Sequence, residues 1–352
     1  MTGFVTSIRA LCSIFEGEVD GALLYLILFQ TSGANRVQLC GCKGVRSCTL
    51  CGDAKSTACE IPLPVFTLNF CNHCDHVFLD KTHTCCRSEC IKDVKFNGVC
   101  ILANFVNEEE ESFLLNAIDR NPWVLSQSGR RKQDYGPRVN FKRRRVAYDR
   151  FTGLPAYCRF LVDRINQTVL NHPRLQHSAF HPVELCNLEY NPERGACIVP
   201  HLDDVWLWGD RLITLNLCSS TVLTFSLPDN ESPQVAEEFK RVRSILDLKH
   251  GVQVFSIFQR PTDVAVRVSL DRRSLVIVDG PARYIWFHAI LRSDIQSRRI
   301  AMTFRELSQG FLPPNESDED AAEDQLLGRK LLDIAQTYQG AVCSVDQNAQ
   351  LL

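Results

Sequence analysis

No stretch of the 352-residue chain reaches the roughly 18 consecutive apolar residues that a membrane-spanning helix needs, so no membrane partner is expected. Charge of one sign is missing too. Against 39 basic residues stand 41 acidic ones, a net charge of -2, so no global field advertises a nucleic acid or an anionic membrane. The apolar stretch at 21–29, GALLYLILF, lacks the basic flank of a signal peptide, because Glu16, Glu18 and Asp20 precede it. The chain has no internal repeat, and GxxxxGK[ST], GxGxxG and GxSxG are all absent. Nucleotide-cradling loops and a serine-hydrolase elbow therefore have no support. With 45% hydrophobic and 23% charged residues, the composition excludes a disordered tail, collagen or a coiled-coil rod. The length suggests about two units.

Cysteine is the residue present in excess. Of 17 cysteines, 11 fall between Cys40 and Cys100. A secreted disulfide scaffold would be short and cysteine-dense throughout, whereas thiols crowded at one end of a long chain fit metal ligation in a reducing compartment. Cys40, Cys42, Cys48 and Cys51 would complete a tetrahedral zinc site, and so would Cys48, Cys51, Cys71 and Cys74. Cys85, Cys86 and Cys90, with His73, His76 and His83, allow a second metal.

Beyond the cysteines, 107–120 reads as a helix capped by Asn107 with Glu110 completing a capping box. A second helix is expected over 155–170. The segment 130–150 is basic and irregular, with nine Lys or Arg against two Asp, and Tyr135, Phe141 and Tyr148 interleaved. That mixture suits phosphates and bases, or an acidic protein surface. From about 183 the period shortens. Strands are expected at 183–190, 212–218, 221–227, 252–258, 264–270, 274–278, 284–290 and 299–305, a pattern of a sandwich or jelly roll. An acidic linker, 316–324, precedes a last helix at about 325–338.

Within this region His201-x-Asp203 sets an imidazole and a carboxylate on one face of an extended segment, roughly 6–7 Å apart. Two such groups can grip one metal, and His288 on a later strand could complete a facial triad with open positions for substrate and oxygen. Eleven residues further on, RIAMTFR directs Ile300, Met302 and Phe304 one way and Arg299, Ala301, Thr303 and Arg305 the other. Two arginines on one face in an apolar setting are costly unless they meet anions, and guanidinium pairs with carboxylate through two parallel bonds. Trp206 and Trp208 stand close behind the HxD pair.

HxD, a downstream His and RxxxxxR, together with CGCKGVRSC, CNLEYNPERG, PHLDDVWLWGDRL and MTFRELS, resemble the AlkB family of Fe(II)/2-oxoglutarate dioxygenases. The resemblance runs from about Cys40 to Gly340. It implies a mainly β fold with flanking helices, a double-stranded β-helix (jelly roll) core behind an N-terminal cysteine-rich segment. The implied divisions are an extension (1–36), a cysteine-rich zinc segment (37–100), a helical part with a basic substrate lid (101–180), the double-stranded β-helix (181–308) and a linker with a C-terminal helix (309–352). Implied for iron are His201, Asp203 and His288, and for 2-oxoglutarate Arg299, Arg305, Tyr190 and Asn187, although Asn187 stands one place out of the family's Asn-x-Tyr register. The quartet Cys40, Cys42, Cys48 and Cys51 lies inside the resembling stretch and is preferred for zinc. Arg143, Arg144, Arg145, Tyr135 and Trp206 are the residues expected to face substrate. The implied activity is oxidative removal of N-methyl groups. The implied target is monomethyl-lysine on a protein, actin, with consequences for actomyosin, in the cytoplasm and nucleus. N6-methyladenine in DNA is the alternative substrate, and a zinc-bearing adaptor with a non-catalytic jelly roll is the alternative role.

Overall fold

A computed structural model describes residues 40–42, 48–51, 66–78, 94–173, 175, 178–230, 232–250, 259–312 and 322–342. The extension 1–36, the strand expected at 252–258, most of the acidic linker, and Cys85, Cys86, Cys90 and His83 lie outside the described residues.

In chain order the strands are β1 (Phe66–Phe70), β2 (His76–Phe78), β3 (Val94–Lys95), β4 (Val99–Leu102), β5 (Val124–Leu125), β6 (Arg131–Tyr135), β7 (Arg138–Asn140), β8 (Arg145–Ala147), β9 (Pro182–Tyr190), β10 (Ile198–His201), β11 (Trp208–Leu217), β12 (Thr221–Ser226), β13 (Val264–Leu270), β14 (Leu275–Val278), β15 (Phe287–Ile290) and β16 (Arg299–Leu307). The helices are α1 (Glu108–Asp119), α2 (Arg159–Asn171), α3 (Pro233–His250), the short α4 (Gly280–Tyr284) and α5 (Glu323–Ala335). One sheet runs β10-β15-β12-β13-β1-β2-β3 and the other β4-β14-β11-β16-β9-β6-β5, with β7 and β8 as a separate hairpin. From β9 to β12, and again from β13 to β16, successive strands alternate between the two sheets. This is the double-stranded β-helix.

Side-chain parity assigns each strand its two faces. In β13, Val264, Val266, Val268 and Leu270 are buried while Ser269 is exposed. They join Leu212, Val276 and Ala301 of the other sheet, so this core fills the space between the sheets. The opposite faces of β9, β11 and β16 present Leu185, Ile213, Leu215, Ile300, Met302 and Phe304 to Leu114 and Ile118 of α1, Leu161 and Ile165 of α2 and Leu331 of α5. Truncating fully buried Phe304 to Ala would cost about 3–5 kcal/mol. Helices therefore cover one sheet from outside and leave its inner face to the site.

The capping box on α1 forms as its sequence suggests. Glu110 N–H donates to Asn107 Oδ1 (2.8 Å), and Asn107 N–H donates to Glu110 Oε2 (3.0 Å). Two expectations need correction. The segment at 130–150 is not irregular: it holds β6, paired with β9, and the β7–β8 hairpin. The strand expected at 284–290 begins only at Phe287, because Pro281 in the first turn of α4 starts a helical turn there.

Candidate active site and cysteine cluster

Strand pairing explains how residues far apart in sequence meet. β10 and β15 run antiparallel with His201 directly opposite His288, and the ring centroids are 4.3 Å apart. Asp203 follows two residues after His201. Donor atoms of His201, Asp203 and His288 all lie within 4.8 Å of one another. His201 Nδ1 donates to the Val199 carbonyl at 2.8 Å, which leaves the Nε2 lone pair facing Asp203 Oδ1 at 3.3 Å. Metal–N and metal–O bonds of roughly 2.0–2.2 Å at a right angle separate two donors by roughly 3 Å, so this spacing fits a shared ion. The other carboxylate oxygen, Oδ2, accepts from Arg305 Nε at 2.7 Å.

Electrostatics keep these groups in the forms a cation binds. Burial, and then the neighbouring His201, push His288 down to about 3, so its imidazole is neutral. Burial alone would raise Asp203, but Arg305, His201 and His288 outweigh it and hold the carboxyl well below the usual range. Arg305 also donates to Glu184 Oε2 at 2.5 Å and stacks on Trp208.

The triad opens on a cavity of about 70 Å³ between the sheets, lined among others by Leu188, Tyr190, Thr214, Leu223, Arg299 and Thr303. Arg299 is 2% exposed. Its Nε donates to Asn216 Oδ1 at 2.7 Å, and its guanidinium lies 4.8 Å from the Tyr190 ring centroid. Its Nη1 is buried with no hydrogen-bond partner among the described residues. A buried guanidinium nitrogen left unsatisfied inside a cavity calls for an anion, and the flat fork of Arg suits a carboxylate. Three metal donors and a buried guanidinium with one unpartnered nitrogen in one pocket fit Fe(II) together with a 2-oxo diacid.

The other sequence candidates separate cleanly. Asn187 does not line the cavity. The period of β9 turns Leu188 and Tyr190 inward and Asn187 outward, where its Nδ2 donates to Gln133 Oε1 and Tyr157 Oη, both at 2.9 Å. Tyr135 is 1% exposed and packs edge-on against Tyr157, so it is a core residue rather than a substrate contact. Trp206 packs on Phe311 at 5.6 Å instead of lining the cavity. Arg143, Arg144 and Arg145 stand exposed in and beside the β7–β8 turn, with Phe141. Sequence reasoning missed Asn216, which orients Arg299. Its only signal is a polar residue at an inward position of β11, in register after Leu212 and Thr214.

The structure also distinguishes the cysteine quartets. Sγ atoms of Cys40, Cys42, Cys48 and Cys51 lie within 4.8 Å of one another, with Cys48 and Cys51 at 3.7 Å. Zinc–sulfur bonds of ~2.3 Å in a tetrahedron give sulfur–sulfur edges of ~3.8 Å, so the pair matches one edge. The knuckle rests on the chain before β6. Ser128 N–H donates to Cys42 Sγ at 3.2 Å, and a Cβ at Gly41 would lie 2.7 Å from the Ser126 backbone. Among the described residues Cys71 and Cys74 join no such group.

A double-stranded β-helix with two histidines and one carboxylate on its inner face defines a class, the mononuclear iron oxygenases. No family model matches the chain. A human protein named alpha-ketoglutarate-dependent dioxygenase alkB homolog 4 is 40% identical over 314 residues, 86% of this chain and 94% of that protein. Its mouse counterpart is 38% identical over 310 residues, covering 86% and 96%. A Caenorhabditis elegans protein named DNA N6-methyl adenine demethylase is 32% identical over 294 residues, covering 78% and 88%. The chain belongs to the AlkB family of 2-oxoglutarate-dependent dioxygenases, and it is an enzyme of that kind.

Proposed function

We propose that this chain removes N-methyl groups oxidatively, with monomethyl-lysine on a protein as substrate, actin being the one the sequence resemblance implies. The observation that carries the demethylase reading is the shared cavity, where His201, Asp203 and His288 meet the unpartnered Arg299 nitrogen. His201, Asp203 and His288 would hold Fe(II), and Arg299 with Tyr190 would take the far carboxylate of 2-oxoglutarate. When bound, Fe(II) and 2-oxoglutarate activate dioxygen: 2-oxoglutarate becomes succinate and carbon dioxide while one oxygen atom enters a methyl C–H bond, and the methyl carbon leaves as formaldehyde.

The chain supplies orientation. Val199 fixes the His201 tautomer, Arg305 ties down one oxygen of Asp203, and Asn216 aims Arg299. Leu188, Leu223 and Val276 line the cavity with hydrocarbon and keep water from the reacting carbon. The non-catalytic adaptor reading has no support left.

A second reading, N6-methyladenine in DNA, draws on the name of the C. elegans relative and on the exposed arginines and Phe141 of the β7–β8 hairpin. Formaldehyde release from methyl-lysine actin and from methylated DNA, measured side by side with Fe(II) and 2-oxoglutarate, tests both. Release from actin alone is expected. Release from DNA alone would replace the first reading with the second, and release from neither would remove both. The proposal includes a structural zinc on Cys40, Cys42, Cys48 and Cys51, the division into the five segments given above, and residence in cytoplasm and nucleus.

A further inference from the structure

A buried guanidinium ordinarily finds a carboxylate, because an unpaired charge inside a protein is expensive. Arg283, in α4, is 1% exposed, and among the described residues no carboxylate accepts a hydrogen bond from it. Its acceptors are all main-chain carbonyls, two in the turn after β10 (Asp203 and Asp204) and two in the first residues of β11 (Trp208 and Gly209). Nη1 donates to Asp203 O at 2.9 Å, Nη2 to Asp204 O and Trp208 O at 3.3 and 3.2 Å, and Nε to Gly209 O at 3.3 Å. A planar fork of donors lets one side chain bond carbonyls on both arms of the turn at once, beside the bond that Trp208 N–H already gives Asp204 O at 3.2 Å.

We propose that Arg283 is a positioning residue for the iron site: it clamps the carbonyls on both sides of the β10–β11 turn and thereby fixes the angle at which Asp203 presents its carboxylate. The inference rests on the reading of His201, Asp203 and His288 as metal ligands. Arg305 and Arg283 divide the task. Arg305 holds the Asp203 side chain by Oδ2, and Arg283 holds its main chain by the carbonyl. With both in place Oδ1 is left toward His201. A lysine at 283 has three donors on one atom and cannot span carbonyls on both sides of the turn. Partners of this kind behind a ligand typically contribute 10- to 100-fold in metal affinity.

The test is titration of the metal-free full chain with Co(II) in place of Fe(II), read by visible absorption, for wild type, Arg283→Lys and Arg283→Ala, with apo melting temperatures alongside. Roughly 10- to 100-fold weaker Co(II) binding and an altered absorption envelope are expected in Arg283→Lys, with the apo protein still folded and the KM for 2-oxoglutarate at saturating metal unchanged. Added guanidinium at millimolar concentration is expected to restore binding to Arg283→Ala. Wild-type affinity and spectrum in a folded Arg283→Lys would overturn the proposal. So would variants that do not fold and are not recovered by guanidinium, which would make Arg283 a general core residue. A wild-type chain that fails to bind Co(II) would instead overturn the ligand assignment, and the inference with it.

Discussion

The two metal-competent clusters of this chain are assembled in contrasting ways. Cys40, Cys42, Cys48 and Cys51 come from twelve consecutive positions, and a local knuckle is enough to gather them. His201, Asp203 and His288 come from two strands and a turn, and they meet because β10 and β15 pair in one register. The cysteine cluster has four donors, enough to close a tetrahedron. The triad has three, beside a cavity and a cationic side chain with spare hydrogen-bonding capacity. A closed site holds structure together, whereas an open one leaves room for reactants. Damage to the first should therefore appear in stability, and damage to the second in turnover.

The largest effect that would separate them is loss of a triad ligand. Asp203→Ala or His201→Ala should lower 2-oxoglutarate decarboxylation roughly a thousandfold, the equivalent of about 4 kcal/mol of lost stabilisation, while the melting curve stays cooperative. Next comes Arg299→Ala. It should raise the KM for 2-oxoglutarate roughly a hundredfold, about 3 kcal/mol, and leave iron affinity unchanged in a binding titration. Cys48→Ser should abolish bound zinc by elemental analysis and lower stability by about 2–3 kcal/mol in urea, with decarboxylation per folded molecule unaltered. A parallel loss of iron turnover in Cys48→Ser would erase the contrast between the clusters.

Proton linkage offers a smaller and more specific reading. The unfolded His288 imidazole protonates below about 6.5, whereas the folded one stays neutral down to about 3. Between those values the unfolded chain binds more protons, so the stability of the metal-free protein falls as pH falls, by up to about 1.4 kcal/mol per pH unit. Urea midpoints between pH 7 and pH 4 should show this slope, and His288→Asn should flatten it. The mildest expected effect belongs to Asn187→Ala. It removes bonds to Gln133 and Tyr157 on the outer face of β9 and should cost about 1–2 kcal/mol, leaving the KM for 2-oxoglutarate at its wild-type value. A raised KM would return Asn187 to the co-substrate side.

What sequence could reveal followed from periodicity. The alternation in RIAMTFR assigned Arg299, Ala301, Thr303 and Arg305 to one face, and all four line the cavity. HxD and His288 were recognisable as motif members, but the register that joins them is a property of strand pairing no single segment contains. For Asn187 motif likeness and parity disagree, and parity decides: it is an odd number of residues from Tyr190 and so faces the other way. Tyr135 lies among basic residues and so resembles a stacking surface, yet RKQDY alternates as a strand and buries Tyr135 with Gln133. The strands β1 to β5 are two to five residues long and sit amid cysteines and turns, too short for a period to emerge. Arg283 carried no signal at all, since a single arginine ahead of an aromatic run looks like any surface charge until the turn folds around it.

Anaerobic titration of the full chain with Fe(II) and 2-oxoglutarate, followed by the visible charge-transfer band of the ternary complex, bears most directly on the triad and Arg299 acting as one site. A single band saturating at one iron per chain, absent in Asp203→Ala and shifted to higher 2-oxoglutarate concentration in Arg299→Ala, is the expected result. A folded wild-type protein that gives no band, or a band indifferent to Asp203→Ala, would contradict it.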